Sequence, residues 1–392
     1  MIAETPKLRE SACLPTQART MLGYVPELDG LRGLAILFVM ISHVSPLMPG
    51  GFIGVDIFFV LSGFLITTLL VQEFDGTGSI RLRNFYIRRA LRLGPALIAL
   101  LIVLCALSFV LFDKARARGN CFNALIALFY LSNWVRAFSG NHLDLLAHTW
   151  SLSTEEQFYI IWPTILLMLL RVSKKRRYVV AVAAAIALLS WLFRIYLSLN
   201  ANAASGQRIF FALDTRADSL MTGCILGVVM SSGLMTENAK KILQKLLVVI
   251  APLSMACLFS VSIFGNVFGL RLRISYYGFV IIELLAAALI LDVLVSPRSI
   301  IRRLLAMKWL VWVGSISYGL YLWHWPIFYT MQGFGFKDFT TISVGTPLTF
   351  LVVLLSYYLM ERPILRLKKR FTPDSQLKRA VLQAGEQPRI TE

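Results

Sequence analysis

Charge is scarce in this chain and histidine scarcer. Of 392 residues only 15% are charged and four are histidine, while 57% are hydrophobic; the mean hydropathy is +0.70. A soluble globular chain carries about 25% charged residues and is roughly 45–50% apolar. The shortage therefore excludes a string of water-soluble domains and indicates a polytopic membrane protein. Cysteine is also sparse. Cys13, Cys105, Cys121, Cys224 and Cys257 are scattered, odd in number and never spaced as CxxC, which excludes a disulfide scaffold and a thiolate metal framework. They read as small apolar fillers. Acidic residues are outnumbered, 21 against 39 Lys and Arg, for a formal charge of +18. In a soluble chain that excess would suggest nucleic acid. Here the basic residues gather in short loops and the C-terminal tail, where they obey the positive-inside rule and meet anionic lipid headgroups; no RNA or DNA motif accompanies them. An apolar leader is missing as well. The first 24 residues mix charged and polar types with Pro6 and Pro15, so no signal peptide is expected and the first membrane helix serves as an uncleaved insertion signal. Walker, HExxH, GxSxG and dinucleotide fingerprints are absent too, and no metal site is expected.

What the chain does have is long apolar runs. A spanning helix needs about 20 mostly apolar residues. Runs at 28–48, 52–72, 95–112, 149–170, 178–197, 209–230, 246–265, 275–295, 309–331 and 342–360 predict an all-α, polytopic transmembrane bundle of about ten spanning helices. A further run, 121–138, contains Asn123, Asn133, Trp134 and Arg136. Counting it as a span would move the KKRR cluster at 174–177 outside, so the positive-inside rule makes it re-entrant or interfacial. Both termini are then cytoplasmic. The chain divides into a cytoplasmic N-terminal tail (1–24), a transmembrane domain (25–363) and a basic, polar, disordered cytoplasmic tail (364–392). No internal repeat of the inverted-transporter kind stands out.

Ionisable groups inside a bilayer are costly and default to function. The first run holds Arg32 and His43. Eleven residues of α-helix turn about 1100° and rise about 16.5 Å, so both fall within ~20° of one face. With the N-terminus inside, Arg32 lies at the cytoplasmic mouth and His43 deeper, as two ends of one donor channel. Histidine is the side chain best able to move a proton near neutral pH. Asp56 stands near the outer end of the second run, with Ser62 and Gly63, a packing or polar site, near its middle. Arg88, Arg89 and Arg92 precede Pro95, which suits the first turn of the third span. Arg88 and Arg92 share a face; they either snorkel to lipid phosphates or clamp the phosphates of a soluble polyanion.

The densest stretch is HTWSLSTEEQFYIIWP, residues 148–163. Helical spacing puts His148, Glu155 and Tyr159 on one stripe, with Glu156 about 100° around. A plainer alternative is a capping box, Ser153 as N-cap and Glu156 at its third position. In the run 209–230, Asp214 and Asp218 share one face, Arg216 another, and Gly223 and Gly227 form a small-residue packing face; Arg216 and the aspartates are as apt for structural ion pairs as for chemistry. Ser317, Tyr321 and His324 also share a face, with Pro326 beside them. Two classes survive: a group transferase with a phosphate-bearing cytoplasmic donor, and a proton-coupled secondary transporter using its intramembrane His, Glu and Asp residues.

Seven motifs stand in one order: LDGLRGLAILFVMISH, GVDIFFVLSGFLI, RRALRLGP, HTWSLSTEEQFYIIWP, RADSLMTG, SYGLYLWHWP and ERP. From about Glu27 to Pro363 the chain resembles the acyltransferase 3 family of integral membrane acyltransferases, many of which modify bacterial cell-surface glycans. The family signature, arginine and histidine separated by ten residues, is intact as Arg32 and His43. The resemblance implies transfer of an acyl group, commonly acetyl, from cytoplasmic acyl-CoA to a hydroxyl of a surface or lipid-linked saccharide, in a multi-pass protein of the bacterial inner membrane. It implies a catalytic role for His43 and CoA-phosphate binding by Arg32, Arg88, Arg89 and Arg92. Glu155, Glu156 and Asp56 are the carboxylates expected to orient His43, in the manner of a catalytic triad. His148, Ser153, Tyr159, Arg216, Asp218, Tyr321 and His324 are expected as substrate or structural support. Some members carry an added extracytoplasmic esterase-like domain, and none is expected here. Direct transfer and an acyl-enzyme both stay open, as do the acceptor and the oligomeric state.

Overall fold

The structure is a computed structural model that describes residues 23–173, 175–200, 203–265 and 278–367. Most of the two expected tails, residues 1–22 and 368–392, lies outside the described residues, as does Lys174 of the KKRR cluster. Among the described residues all regular elements are helical.

Helix α1 (Pro26–Val44) starts with proline in its first turn and Glu27 and Asp29 beside the positive end of the helix dipole. A 3-10 turn, Gly51–Ile53, leads into α2 (Gly54–Thr77), which stops at Gly78 in the left-handed conformation. Helix α3 (Leu82–Leu111) begins well before Pro95 and runs through it. This corrects the expectation of a helix opening at Pro95: the arginine segment is itself the first part of the helix, so its side chains stand on a rigid rod. Asp113 caps α4 (Lys114–Leu128), accepting from the amides of Ala115 and Arg116. Helix α5 (Ser132–Phe138) follows at a bend of 116°, the shape of a broken span or a re-entrant loop.

Helix α6 (Thr149–Val172) starts upstream of the anticipated capping box. Ser153 is not an N-cap: it lies inside the helix, and its hydroxyl donates back to the Thr149 carbonyl at 3.1 Å. Next come α7 (Arg176–Leu199), α8 (Ala203–Phe211) and, after a 3-10 turn at Leu213–Thr215, α9 (Ala217–Ser231). The expected span 209–230 is therefore broken, and Asp214 sits in the turn rather than one helical turn before Asp218. Helix α10 (Glu237–Phe264) and α11 (Phe279–Val295) precede the short α12 (Ile300–Leu305). The expected span 309–331 divides at Ile316 into α13 (Lys308–Ser315) and α14 (Ser317–Gly333). The last helix, α15 (Asp338–Leu367), contains π-helical turns at Thr341–Gly345 and Tyr357–Glu361.

Among the described residues, five helices can cross a membrane by length and composition: Gly51–Thr77, α3, α7, α10 and α15, or six if the bent α4–α5 pair counts as one span. The remaining expected spans are helices that fall short of that test. They are short, as α9 and α11 are, or carry charge, as α1 does with Glu27, Asp29 and Arg32 and α6 with Glu155 and Glu156. The division follows burial. Helices α3, α7, α10 and α15 expose large apolar residues such as Ile102, Val110, Leu189, Val248 and Leu359. Apolar faces that broad suit a lipid boundary. The charged helices sit inside.

Helix α2 packs on α9, and α1 on α13. Both contacts run backbone to backbone. A Cβ on Gly223 would lie 2.1 Å from the Val60 carbonyl oxygen, and one on Gly314 would lie 1.7 Å from that of Asp29. The Gly223 face expected from the sequence thus finds its partner in α2, opposite Gly63. Gly223→Val is expected to destabilise the bundle by about 1–3 kcal/mol or more, since the obstacle is backbone that cannot rotate away. Thermal unfolding of the purified variant checks this; an unchanged midpoint would mean that the two helices do not touch.

Candidate functional site

Two cavities among the described residues hold most of the expected site residues. The first, of about 520 Å³, is lined by Asp29 and Arg32 of α1, Ser62 of α2, Arg89 and Arg92 of α3, Glu155 and Tyr159 of α6, and Tyr318 and Tyr321 of α14. Arg32 pairs with Asp29 at 3.0 Å, one helical turn away. Arg89 donates from Nε to Glu156 at 3.1 Å and stacks its guanidinium 3.0 Å above the centre of the Tyr159 ring. Ser62 donates to Glu155 at 2.6 Å. Arg92 is exposed into this space, and among the described residues no carboxylate pairs with it. Arg88, expected with the cluster, turns to Glu73 at 3.3 Å and is absent from the cavity wall. The pair that shares the cavity is Arg89 and Arg92, rather than Arg88 and Arg92. Continuous helix from Leu82 sets that rotation.

The second cavity, of about 680 Å³, is lined by His43 of α1, Asp56 of α2, Arg136 of α5, His148, Arg216, and Tyr321 and Trp325 of α14. Here His43 meets a second imidazole instead of a carboxylate. Its Nδ1 lies 3.0 Å from Nε2 of His324, with the rings stacked at 15°. The roles follow from the next link. Nδ1 of His324 is 2.9 Å from the Leu320 carbonyl, which can only accept. Nδ1 of a neutral His324 therefore carries the proton, its Nε2 is a lone-pair acceptor, and His43 must donate from Nδ1. That leaves the lone pair on Nε2 of His43. Trp325 packs edge-on at 4.7 Å and restrains the ring. The arrangement does what a triad carboxylate does for tautomer and orientation, without a second charge. Glu155 and Glu156, both expected as partners of His43, face the arginines instead.

Asp56, the third expected partner, accepts a short contact from Arg216; both are about 1% exposed or less. Asp218 pairs with Arg194, which also donates to the Thr215 carbonyl at 2.6 Å. Asp214 pairs with Arg208 at 2.6 Å. Arg216, Asp218 and their partners thus form a buried ionic layer, of which Asp56 and Arg216 line the second cavity. Arg194 and Glu283, the latter held by Ser219 at 2.7 Å, were missed as site residues. The signal was available: each is a lone ionisable group in an apolar run, within WLFRIY and VIIELL.

His148, Glu155 and Tyr159 do share the stripe their spacing gives, but it is divided. His148 faces the second cavity; Glu155 and Tyr159 face the first. The same holds for Arg32 and His43, which lie in different cavities rather than along one channel. Between them stand Val55 and Tyr321, which line both. The Tyr321 hydroxyl donates to the His148 carbonyl at 2.9 Å and so accepts from Ser151 at 2.5 Å. Among the described residues no group of three or more His, Cys, Asp or Glu is placed to hold a metal.

The profile of a protein family described as "Acyltransferase domain" matches residues 25–361. The chain is similar to the peptidoglycan O-acetyltransferase OatA of Listeria monocytogenes, 32% identical over 356 residues that make up 87% of this chain and 56% of that protein. It is 34% identical over 351 residues to a Staphylococcus aureus (strain COL) protein provisionally named an O-acetyltransferase, with coverage of 87% and 57%. With Bacillus subtilis YrhL, provisionally named a peptidoglycan O-acetyltransferase, it shares 33% over 358 residues, 87% of this chain and 55% of the other. The chain spans about half the length of these curated relatives. No solved structure matches it.

Proposed function

The chain belongs to this acyltransferase family, and from that premise we propose that it is an O-acetyltransferase of the bacterial inner membrane, moving an acetyl group from acyl-CoA to a hydroxyl of an envelope saccharide. The acceptor class is drawn from relatives named for peptidoglycan. In this reading the bundle has about ten spans with both termini inside. The carrying observation is the free Nε2 of His43, fixed by His324 and Leu320, on the wall of a cavity that adjoins the arginine cavity at Val55 and Tyr321.

The arginine cavity takes the donor. Arg32 and Arg89 are partly neutralised by Asp29 and Glu156, so Arg92 supplies the uncompensated charge for phosphate. The histidine cavity takes the acceptor. His43 accepts the hydroxyl proton at Nε2 as the oxygen bonds to the thioester carbon. The carbon–sulfur bond then breaks, and the departing thiolate takes that proton. The same nitrogen also suits a two-step route: Nε2 bonds to the thioester carbon as the carbon–sulfur bond breaks, giving an acyl-imidazolium and the thiolate, and the acceptor oxygen then displaces the imidazole while its proton passes to the thiolate. The transporter alternative is the less favoured reading, because Asp56, Asp218 and Glu156 are each tied to an arginine and so are poor links in a proton relay, and because the family is one of acyltransferases.

Arg92→Ala is expected to raise the KM for acetyl-CoA about 10-fold or more with little change in kcat, since it deletes one charge-assisted contact to the donor's phosphates. Steady-state release of CoA by the purified protein checks this. An unchanged KM would make Arg92 a lipid anchor only.

A further inference from the structure

The arginines of the two cavities are not equally matched. Arg32, Arg89 and Arg216 each have a carboxylate within ion-pair distance. Arg92 in the donor cavity does not, and in the histidine cavity neither does Arg136. Arg136 stands on α5 and is half-buried. Its Nη1 donates to the Ala147 carbonyl at 2.8 Å and its guanidinium lies 3.8 Å over the Phe211 ring. Its Nε is shut from water without a partner, and among the described residues no carboxylate pairs with it. Beside it in the same wall is His148, 4% exposed, with both ring nitrogens unpartnered. The charges of the cavity therefore do not cancel. Asp56 is matched by Arg216, and the Arg136 guanidinium has no carboxylate within ion-pair distance among the described residues.

A half-buried cation whose Nε is shut from water and which has no counter-charge is costly to keep, and a buried imidazole with neither nitrogen bonded is a donor and an acceptor left without partners. Both features sit on the wall of the cavity that holds the free Nε2 of His43, which makes the bound ligand the natural source of the missing partners. The donor's phosphates have their own arginines across Val55 and Tyr321. The anion here thus belongs to the other substrate. We propose that the acceptor is an anionic saccharide, whose carboxylate or phosphate is held by Arg136 while His148 hydrogen-bonds the sugar and the reacting hydroxyl meets His43. This rests on the acetyltransferase reading and adds to it the charge of the acceptor and the residue that selects it.

Binding tests it without any need for turnover. The purified full chain in nanodiscs of zwitterionic lipid is titrated by calorimetry with glucuronate, glucose 1-phosphate and glucose. Wild type is expected to bind at least one of the anionic sugars about 10-fold or more tighter than glucose, the worth of one charge-assisted hydrogen bond; the two anionic arms tell carboxylate from phosphate. Arg136→Gln should erase the preference while leaving glucose binding in place, and Arg136→Lys should retain part of it. Equal affinity for all three sugars, a preference that survives Arg136→Gln, or equal weakening of glucose and its anionic counterparts would each overturn the assignment. If the anion preference is present but no acetyl group is ever transferred, the acetyltransferase reading fails and the anion site stands.

Discussion

His43→Ala is expected to abolish acyl transfer, by about 10³-fold or more, in a protein that still inserts and unfolds like wild type. General acid–base groups contribute about 10²–10⁴-fold, and here the same nitrogen is also the only arrangement among the described residues in which a free imidazole lone pair is fixed by a hydrogen-bonded chain, His43 to His324 to Leu320. The side chain lies at the surface of a cavity, so its loss removes little packing. His324 acts through His43, and its variants separate chemistry from support. His324→Gln keeps an acceptor for the Nδ1 proton and should lose less than His324→Leu, which removes the acceptor and frees the wrong tautomer. The measurement is acetyl transfer and CoA release by purified variants, with thermal unfolding as the control. Near-normal turnover in His43→Ala would end the assignment; equal losses in the two His324 variants would show that His324 matters for packing alone.

The second large effect concerns stability. Arg216 and Asp56 are almost fully enclosed, and Arg216 lies 3.7 Å over the Phe279 ring. Removing one partner leaves a charge with neither water nor counter-ion, a loss of about 3–5 kcal/mol. Arg216→Met is thus expected to unfold well below wild type. Replacing both with apolar residues, Asp56→Leu with Arg216→Met, removes the unpaired charge and should recover much of that loss. Thermal unfolding of the two single variants and the double variant reads this as a cycle. If the double variant is as damaged as the sum of the singles, the two groups do not act as a pair.

Helical class, the stripes of α6 and α14, and the arginine-to-histidine spacing on α1 were legible because each depends on one helix's own periodicity. The pairings were not. A single sequence carries the rotation of a residue about its own helix, and nothing about which helix stands opposite. Glu155, Glu156 and Asp56 were natural partners for His43 by chemistry, yet Ser62, Arg89 and Arg216 hold them, because the α2 and α3 faces that meet α6 and α9 are set by tertiary packing. The span count was blurred for a related reason. Interior helices such as α9 and α14 need not satisfy lipid along their whole length, so they are short, bent or charged. The Ser153 box failed because α6 begins at Thr149 without a side-chain cap, leaving no local mark to read.

Val55 and Tyr321, which line both cavities, have a second consequence in the proposed reading. A protein that passes an acetyl group through a bilayer faces a leak problem, since a continuous column of water would also conduct protons and discharge the membrane. In that reading, an aliphatic side chain and a phenol latched to Ser151 and the His148 carbonyl stand where the two cavities adjoin and would interrupt that column. On that proposal, the same two side chains that divide the donor cavity from the acceptor cavity would also keep the membrane sealed while transfer takes place.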